Sequence, residues 1–330
     1  MARNSSGALS KRAKAVEQKQ GDAFAATHPS ELLEGIHPAY ATELGAAYCG
    51  DSRFILGQLP ANSVDLVVTS PPYALEFKKE YGNEAKEKYV AWFLPFAREI
   101  KRVLKDDGSF VLNIGGSYNR GEPTRSLYHF RLLLALCDDV GLHLAQEAFW
   151  FNPAKVPAPA EWCNVRRIRV KDSVEYVWWL SATPWPKASN REVLVPYSAD
   201  MERLIKKGFR AKTRPSGWRA TEKWGKDNGG SIPSNLMEIG NNESNSGYIK
   251  ACAEHGMKPH PARFPAGLPE WWTRFLTAPG DLVVDPFAGS NTTGSVVQSL
   301  GRRWISIEQD SAYVKNSALR FSIPPTDVRV

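Results

Sequence analysis

The stretch Val64-Asp-Leu-Val-Val-Thr-Ser-Pro-Pro-Tyr73 sets the terms for the rest of the chain. Residues 64–68 are an apolar, β-branched run between polar residues and predict a buried strand. Pro71 and Pro72 then stop it, because neither can donate to a ladder and each locks φ. Ser70, two rigid carbonyls and the Tyr73 ring are therefore delivered together to the carboxyl end of a strand, where open α/β sheets bind their ligands. The Ser70 hydroxyl and the Pro71 carbonyl are acceptors, and the Tyr73 ring is a face on which a planar base can stack. Two acceptors under an aromatic ring suit an exocyclic amino group, such as that of cytosine or adenine. Read alone, the string is also an ordinary turn, so its meaning depends on its surroundings.

Outward from this strand the pattern alternates. Residues 46–51 read as a strand ending in Gly-Asp, with room for a helix over 52–59 before Val64. Apolar residues at 89, 93, 96, 97, 100, 103 and 104 step by three and four and predict a helix over 84–104, kinked or restarted at Pro95. A strand at 109–114, a helix at 127–140 closed by Gly141, and a strand at 147–151 follow. This rhythm predicts an α/β fold: a Rossmann-like, mostly parallel sheet with helices on both faces.

The chain carries 42 Lys and Arg against 35 Asp and Glu, a net charge of +7, which favours an anionic partner. The positive excess is local. Residues 152–226 hold 16 Lys and Arg against 7 Asp and Glu, interleaved with Trp178, Trp179, Trp185, Trp218 and Trp224. That composition, with one clear strand at 174–180, reads as an irregular basic insert that recognises nucleic acid. Residues 1–40 read as a flexible or peripheral arm, leaving 41–151 and 227–330 as the catalytic and cofactor-binding domain. The four cysteines form neither a metal pair nor a disulfide pattern, no apolar run spans a membrane, and no signal core opens the chain. A cytoplasmic protein without metal is expected.

A second site lies near the C-terminus. Residues 281–285 read as a strand, followed by the loop Pro286-Phe-Ala-Gly-Ser-Asn-Thr-Thr-Gly294 and a helical run over 295–300. This cradle suits a nucleotide-like ligand, but it lacks both Gly-x-Gly-x-x-Gly and a P-loop lysine, so a pyrophosphate is not the obvious guest. Glu308 follows Gly289 by nineteen residues, at the end of a strand over 304–307, and is placed to accept from ribose hydroxyls.

Together, Ser70-Pro-Pro-Tyr73 and Asp285-Pro-Phe-Ala-Gly289 resemble the S-adenosylmethionine-dependent amino-methyltransferases of double-stranded DNA. The catalytic segment precedes the cofactor loop with the basic insert between them, which is similar to the circularly permuted beta group of that family. The resemblance implies a mostly parallel sheet with one antiparallel strand. A Ser at the first motif position is typical of the enzymes that methylate cytosine N4, whereas Asp is commoner in those that methylate adenine N6. By position, the resemblance places Ser70, Pro71, Pro72 and Tyr73 in catalysis. It places Asp285, Phe287, Gly289, Ser290, Asn291 and Thr292 about the cofactor, with Glu308 on the ribose and Asp51 on the adenine amino group. The segment 260–265 resembles one that closes over the cofactor methionine, which adds Phe264 and Pro265; Ala288 stands where relatives often have a second Gly. Lys78, Lys79, Arg166, Arg167, Arg169, Lys212 and Arg214 are candidates for phosphate or groove contacts.

The expected protein is thus a monomeric DNA methyltransferase of a restriction-modification system, with a partner endonuclease acting separately. An N6-adenine enzyme is the nearest alternative, and a non-catalytic DNA-binding protein that retains the cofactor fold is the alternative of another class. A C5-cytosine enzyme would need a nucleophilic Cys, usually after Pro, and no cysteine here follows Pro.

Overall fold

The computed structural model describes residues 27–75, 82–208, 212, 213, 215, 217, 219–221, 225–241, 247–263 and 265–330. Nine strands form one sheet: β1 (Tyr40–Ala41), β2 (Gly45–Cys49), β3 (Val64–Thr69), β4 (Leu104–Ile114), β5 (His143–Phe151), β6 (Val174–Ser181), β9 (Leu236–Glu238), β10 (Leu282–Asp285) and β11 (Arg303–Glu308). Their spatial order is β1-β2-β11-β10-β3-β4-β6-β5-β9, and a separate pair joins β7 (Lys212–Thr213) to β8 (Arg219–Ala220). β2, β11, β10, β3 and β4 run parallel, while β6 lies antiparallel between β4 and β5. The expected antiparallel strand is therefore β6; the two-residue edge strand β1 adds a second reversal against β2.

β3 explains why the sheet is covered on both faces. Every one of its residues is buried, and alternate side chains enter different cores. Val67 joins the cluster beneath α1 (Ser52–Gln58), α2 (Tyr89–Val103) and α3 (Tyr128–Asp138). Leu66 and Val68 join the cluster beneath α6 (Gly267–Leu276), α7 (Thr292–Ser299) and α8 (Ser311–Ser317). A strand buried on both faces reads as a continuous apolar run rather than an alternation. Its one charge, Asp65, is answered by Lys105 Nζ at 2.7 Å and by the Leu282 N–H at 2.9 Å.

Several expected boundaries move. The first long helix begins at Tyr89, where the buried face begins, rather than at residue 84, and it runs through Pro95 without restarting. Leu104 already pairs with Val64, so β4 starts earlier than residue 109 and carries an irregularity between the two registers. Residues 27–40, expected to belong to a peripheral arm, pack on the body: Leu32 and Leu33 are buried in the core, and the Thr27 carbonyl accepts from Arg303 Nη1 at 2.8 Å. Residues 1–26 lie outside the described residues.

The segment 152–226 is not a separate insert throughout. Its strand β6 belongs to the main sheet, with Trp178 and Trp179 buried in opposite cores, because its backbone completes the ladders of β4 and β5. Those two tryptophans are core residues and cannot stack on a nucleic acid. Trp185 is exposed, whereas Trp218 and Trp224 lie outside the described residues. Peripheral among the described residues are the loop before β6 and α4 (Ala199–Lys207), a helix with no buried residue. Residues 187–193 instead pack on the body, with the Ser189 N–H donating to the Phe275 carbonyl at 2.8 Å and Val193 buried. Beyond β9 the chain returns to the body of the protein through α5 (Gly247–Glu254), which buries Tyr248 and Cys252.

Candidate active site

The carboxyl ends of β3 and β4 and the start of β6 meet around Ser70. Pro71 is buried, and the Pro72 carbonyl accepts from Tyr89 Oη at 2.8 Å, which ties the turn to α2. The Tyr73 ring packs against Gly115: a Cβ there would sit 2.5 Å from the ring, so only glycine admits this approach. Tyr73 Oη donates to Glu175 Oε2 at 2.8 Å and lies 3.1 Å from Asn113 Oδ1. Ser70 Oγ is 3.2 Å from Tyr73 Oη and 3.3 Å from Asn113 Oδ1. Asn113 Nδ2 donates to the Tyr176 carbonyl at 3.2 Å, which fixes the amide so that its oxygen faces the two hydroxyls. Lys155 Nζ pairs with the other Glu175 oxygen at 2.9 Å.

Burial, and after it the Glu175 charge, pushes the Tyr73 phenol well above its ordinary range. Tyr73 is therefore a neutral donor, held toward Glu175. Ser70 is half-buried, and the Pro71 carbonyl has no hydrogen-bond partner among the described residues. Ser70 Oγ and Pro71 O are thus two acceptors at one strand end, beside an aromatic ring locked at its hydroxyl.

The second site shares a wall with the first. Asp285, at the end of β10, is fully enclosed: Oδ1 accepts from Thr69 Oγ1 at 2.6 Å and from the Phe287 N–H at 3.1 Å, and Oδ2 accepts from Thr293 Oγ1 at 2.6 Å. Burial raises its pKa, and the two hydroxyls oppose the shift. The family resemblance places Asp285 about the cofactor; its carboxylate is instead bonded within the protein and ties the two motifs to each other. Phe287 packs its ring against Trp92, Phe93 and Phe96, with centroids 5.9, 6.2 and 5.0 Å away.

Past Phe287 the loop turns tightly. Gly289 has φ +52°, and its N–H donates to Glu308 Oε2 at 2.8 Å. Asn291, also left-handed at φ +53°, caps α7: its Oδ1 accepts from the Gly294 N–H at 3.0 Å and from Ser306 Oγ at 2.5 Å. Its Nδ2 donates to Tyr40 Oη at 3.0 Å. The Arg320 guanidinium donates to the Ser290 carbonyl and hydroxyl and to Thr292 Oγ1, at 2.6, 3.1 and 3.0 Å. The side chains of Ser290, Asn291 and Thr292 are thus buried and bonded within the protein. They shape the loop, while Gly289 is buried against the His260 ring, which would lie 3.2–3.3 Å from an added Cβ.

Two carboxylates stand at neighbouring strand ends. Glu308 is mostly enclosed, and burial raises its pKa against the backbone N–H bonds that hold it. Asp51, just past β2, caps α1 and forms an ion pair with Arg53 at 2.6 Å, whose hydrogen bond holds its carboxyl below the usual range. The Gly50 N–H donates to the Glu308 carbonyl at 3.0 Å, which joins the ends of β2 and β11. Two acidic acceptors, an aromatic wall and a glycine turn fit the hydroxyls, amine and cationic sulfur of S-adenosylmethionine. Pro265 is buried where its carbonyl starts α6, and Phe264 lies outside the described residues.

Of the proposed DNA contacts, Arg166 is exposed, paired with Glu161 at 2.8 Å and stacked over Trp162 at 5.0 Å. Arg167 is exposed in a left-handed conformation, φ +55°. Arg169 departs from the expectation. It donates to the Pro123 carbonyl at 2.8 Å and packs over Tyr118 at 5.0 Å, pinning the loop before β6 to the one after β4. Lys78, Lys79 and Arg214 lie outside the described residues, as does the side chain of Lys212, whose backbone forms β7. Sequence reasoning missed Asn113, Glu175, Lys155 and Arg320. A lone acid at the head of an otherwise apolar strand, Val174-Glu-Tyr-Val-Trp-Trp-Leu, was the available signal for Glu175.

Comparison with known proteins agrees with this geometry. The family model described as DNA methylase matches residues 64–319. The type II methyltransferase M.PvuII of Proteus hauseri is 53% identical over 290 residues, covering 87% of this chain and 86% of that protein. The solved structure of a PvuII DNA methyltransferase (cytosine-N4-specific) superposes with a TM-score of 0.72 at 46% identity, over 88% of this chain and 92% of that one. A putative DNA modification methylase from Thermus thermophilus, solved with S-adenosyl-L-methionine, shares the fold at 20% identity and TM-score 0.52, over 86% and 93% of the chains.

Proposed function

This chain belongs to the DNA methylase family, and we propose that it methylates the N4 amino group of a cytosine flipped out of double-stranded DNA, with S-adenosylmethionine as the donor. The observation that carries the reading is Ser70, with its hydroxyl and the adjoining carbonyl presented as acceptors, in a chain 53% identical to M.PvuII.

The chemistry follows from those atoms. The N4 lone pair of cytosine is delocalised into the ring and makes a poor nucleophile. Hydrogen bonds from its two protons to Ser70 Oγ and Pro71 O favour a pyramidal nitrogen with a localised lone pair, so the stabilisation grows toward the transition state. When bound, the cofactor supplies a methyl group on a sulfonium, open to in-line attack. Glu308 and Asp51 hold its ribose and adenine ends, while Phe287 and Gly289 border its reactive end; positioning accounts for much of the rate. Within a duplex the amino group is out of reach, so the base leaves the stack and rests against Tyr73.

Arg166 and Arg167, exposed on the loop before β6, are suited to DNA phosphates. We assign target recognition to the peripheral parts of 152–226, that is, without β6. A monomer acting in the cytosol beside a separate cognate endonuclease completes the reading; among the described residues no helix is long and apolar enough to cross a membrane.

The test is nucleoside analysis of DNA incubated with the protein and labelled cofactor. N4-methyldeoxycytidine is the expected product, and N6-methyladenine would overturn the base assignment. Ser70→Ala should retain DNA and cofactor binding while its single-turnover rate drops roughly 10²-fold or more; an unimpaired variant would refute the role of the hydroxyl.

A further inference from the structure

Methyl transfer leaves a positive charge and a surplus proton on the amino nitrogen, and that proton needs a destination. The hydrogen bonds around Ser70 provide one. Tyr73 Oη has a single proton, and its shortest contact is Glu175 Oε2 at 2.8 Å, against 3.1 Å to Asn113 Oδ1. With that proton directed to the carboxylate, the phenol oxygen can accept from Ser70 Oγ, 3.2 Å away. Ser70 then keeps its lone pairs for the substrate amino group. The end of the chain is stabilised from the far side, where Lys155 Nζ holds Glu175 Oε1 at 2.9 Å.

We propose that Glu175 is a positioning residue that acts through Tyr73 and Ser70, orienting their protons away from the substrate and ending a relay that takes the proton released by the amino group. The inference rests on amino-group methylation at this site, though not on which base carries the amine. The step balances. As the N–CH3 bond forms and the S–CH3 bond breaks, positive charge develops on nitrogen. One N–H bond breaks as an O–H bond forms on Ser70; the Ser70 proton passes to Tyr73 and the Tyr73 proton to Glu175. Nitrogen and carboxylate both end neutral. The benefit begins before the proton moves, because a chain polarised by a terminal anion makes Ser70 Oγ a stronger acceptor for an increasingly acidic N–H.

β6 makes this possible. Asn113 pairs with Val177 and Ile114 with Tyr176, so the antiparallel register sets Glu175 just beyond the end of β4, beside the Tyr73 ring. Glu175 is mostly buried, and its two carboxylate oxygens are divided between Tyr73 and Lys155. A merely structural acid there would not require an unbroken line of hydroxyls to the acceptor at the strand end.

The experiment compares single-turnover methylation by wild type, Glu175→Gln, Tyr73→Phe and the double variant, alongside DNA and cofactor affinities and thermal melting. Glu175→Gln keeps the shape and an acceptor for Tyr73 but removes the charge and the proton sink. It is expected to slow transfer roughly 10²-fold with both affinities unchanged. Because the two residues act in series, the double variant should be no slower than the slower single variant. Glu175→Gln at the wild-type rate, or single losses that multiply in the double variant, would overturn the relay. Product analysis of the wild type keeps the two readings apart: adenine methylation sinks the cytosine assignment while the variant rates still judge the relay, and absence of DNA methylation sinks both.

Discussion

Gly115→Ala tests the geometry of the catalytic turn with one methyl group. Gly115 is not among the glycines with positive φ, so alanine meets no backbone penalty and the consequences come from contact alone. The new Cβ would lie 2.5 and 2.6 Å from two atoms of the Tyr73 ring. Carbon atoms prefer about 3.5–4 Å, so the ring must withdraw by about 1 Å or more. Such a shift carries Tyr73 Oη out of reach of Glu175, from which it is 2.8 Å distant, and disturbs its contact with Ser70. Overpacking of this kind costs about 1–3 kcal/mol, and the broken buried hydrogen bond a further ~1–3 kcal/mol. The gain from restricting the unfolded chain, about 0.4–1 kcal/mol, offsets little of it. The variant should melt several degrees lower and, with a reactive group displaced by ~1 Å, transfer methyl roughly 10²-fold more slowly. Single-turnover methylation and calorimetric melting measure both. Gly121→Ala supplies the contrast: its φ of +75° strains the backbone, but nothing lies within 4 Å of the added carbon, so stability falls while the rate holds. If Gly115→Ala keeps the wild-type melting temperature and rate, the packing of Tyr73 against Gly115 is not what positions the site.

Glu308→Ala should weaken S-adenosylmethionine binding by about 1.5–3 kcal/mol, the range for hydrogen bonds to a charged group, and titration calorimetry checks it; unchanged affinity would remove Glu308 from the cofactor site. His129 makes stability depend on pH. Burial first, and then the Arg125 charge, lowers its pKa from 6.5 to about 4, with both ring nitrogens unpaired among aromatic neighbours. Since the folded pKa is depressed, the unfolded chain binds more protons through the window between those values, and stability is lost as pH falls through it, by about 3 kcal/mol from this residue. His129→Phe should therefore lose less stability than wild type between pH 7 and pH 5, as denaturant titrations at the two pH values would show; equal losses would contradict a neutral buried ring.

What the sequence makes legible follows the chemistry of burial. β3, β10 and β11 are buried on both faces and read as short, mostly apolar segments with a polar residue at the carboxyl end. β6 is readable as a strand but not as a member of the sheet, since periodicity reports burial and not partners. Its neighbours in the chain are basic and irregular, so composition assigns Trp178 and Trp179 to a DNA-reading surface although they fill the two cores. The same blindness to direction explains the loop after β10. Small polar residues are needed both to line a ligand and to tie a tight turn, and Ser290, Asn291 and Thr292 do the second. Arg169 is similar: a guanidinium that grips a carbonyl and a tyrosine has the same letter as one that grips a phosphate. Glu175 escapes a reading by motif because its importance is entirely relational, lying in the distance to a phenol 102 residues earlier in the chain.

The order of the motifs along the chain has no chemical weight, and the reason is visible at Asp285. The Thr69 hydroxyl reaches it across 216 residues of sequence, because β10 lies directly beside β3 with Val283 opposite Leu66 and Val284 opposite Val67. Catalysis depends on those two strand ends being adjacent, whichever is synthesised first. The entropic cost of joining them grows only with the logarithm of the intervening length, by about 0.6 kcal/mol for each doubling. Moving the cofactor half from one end of the chain to the other therefore changes the closure term by less than the strength of one buried hydrogen bond between the halves, typically ~1 kcal/mol. Asp285 makes three such bonds, one to the Phe287 N–H of its own loop, one to Thr293 in the first turn of α7 and one across to Thr69. The fold can accept either order as long as that crossing survives, and the crossing, more than any linear arrangement of motifs, makes the two halves one site.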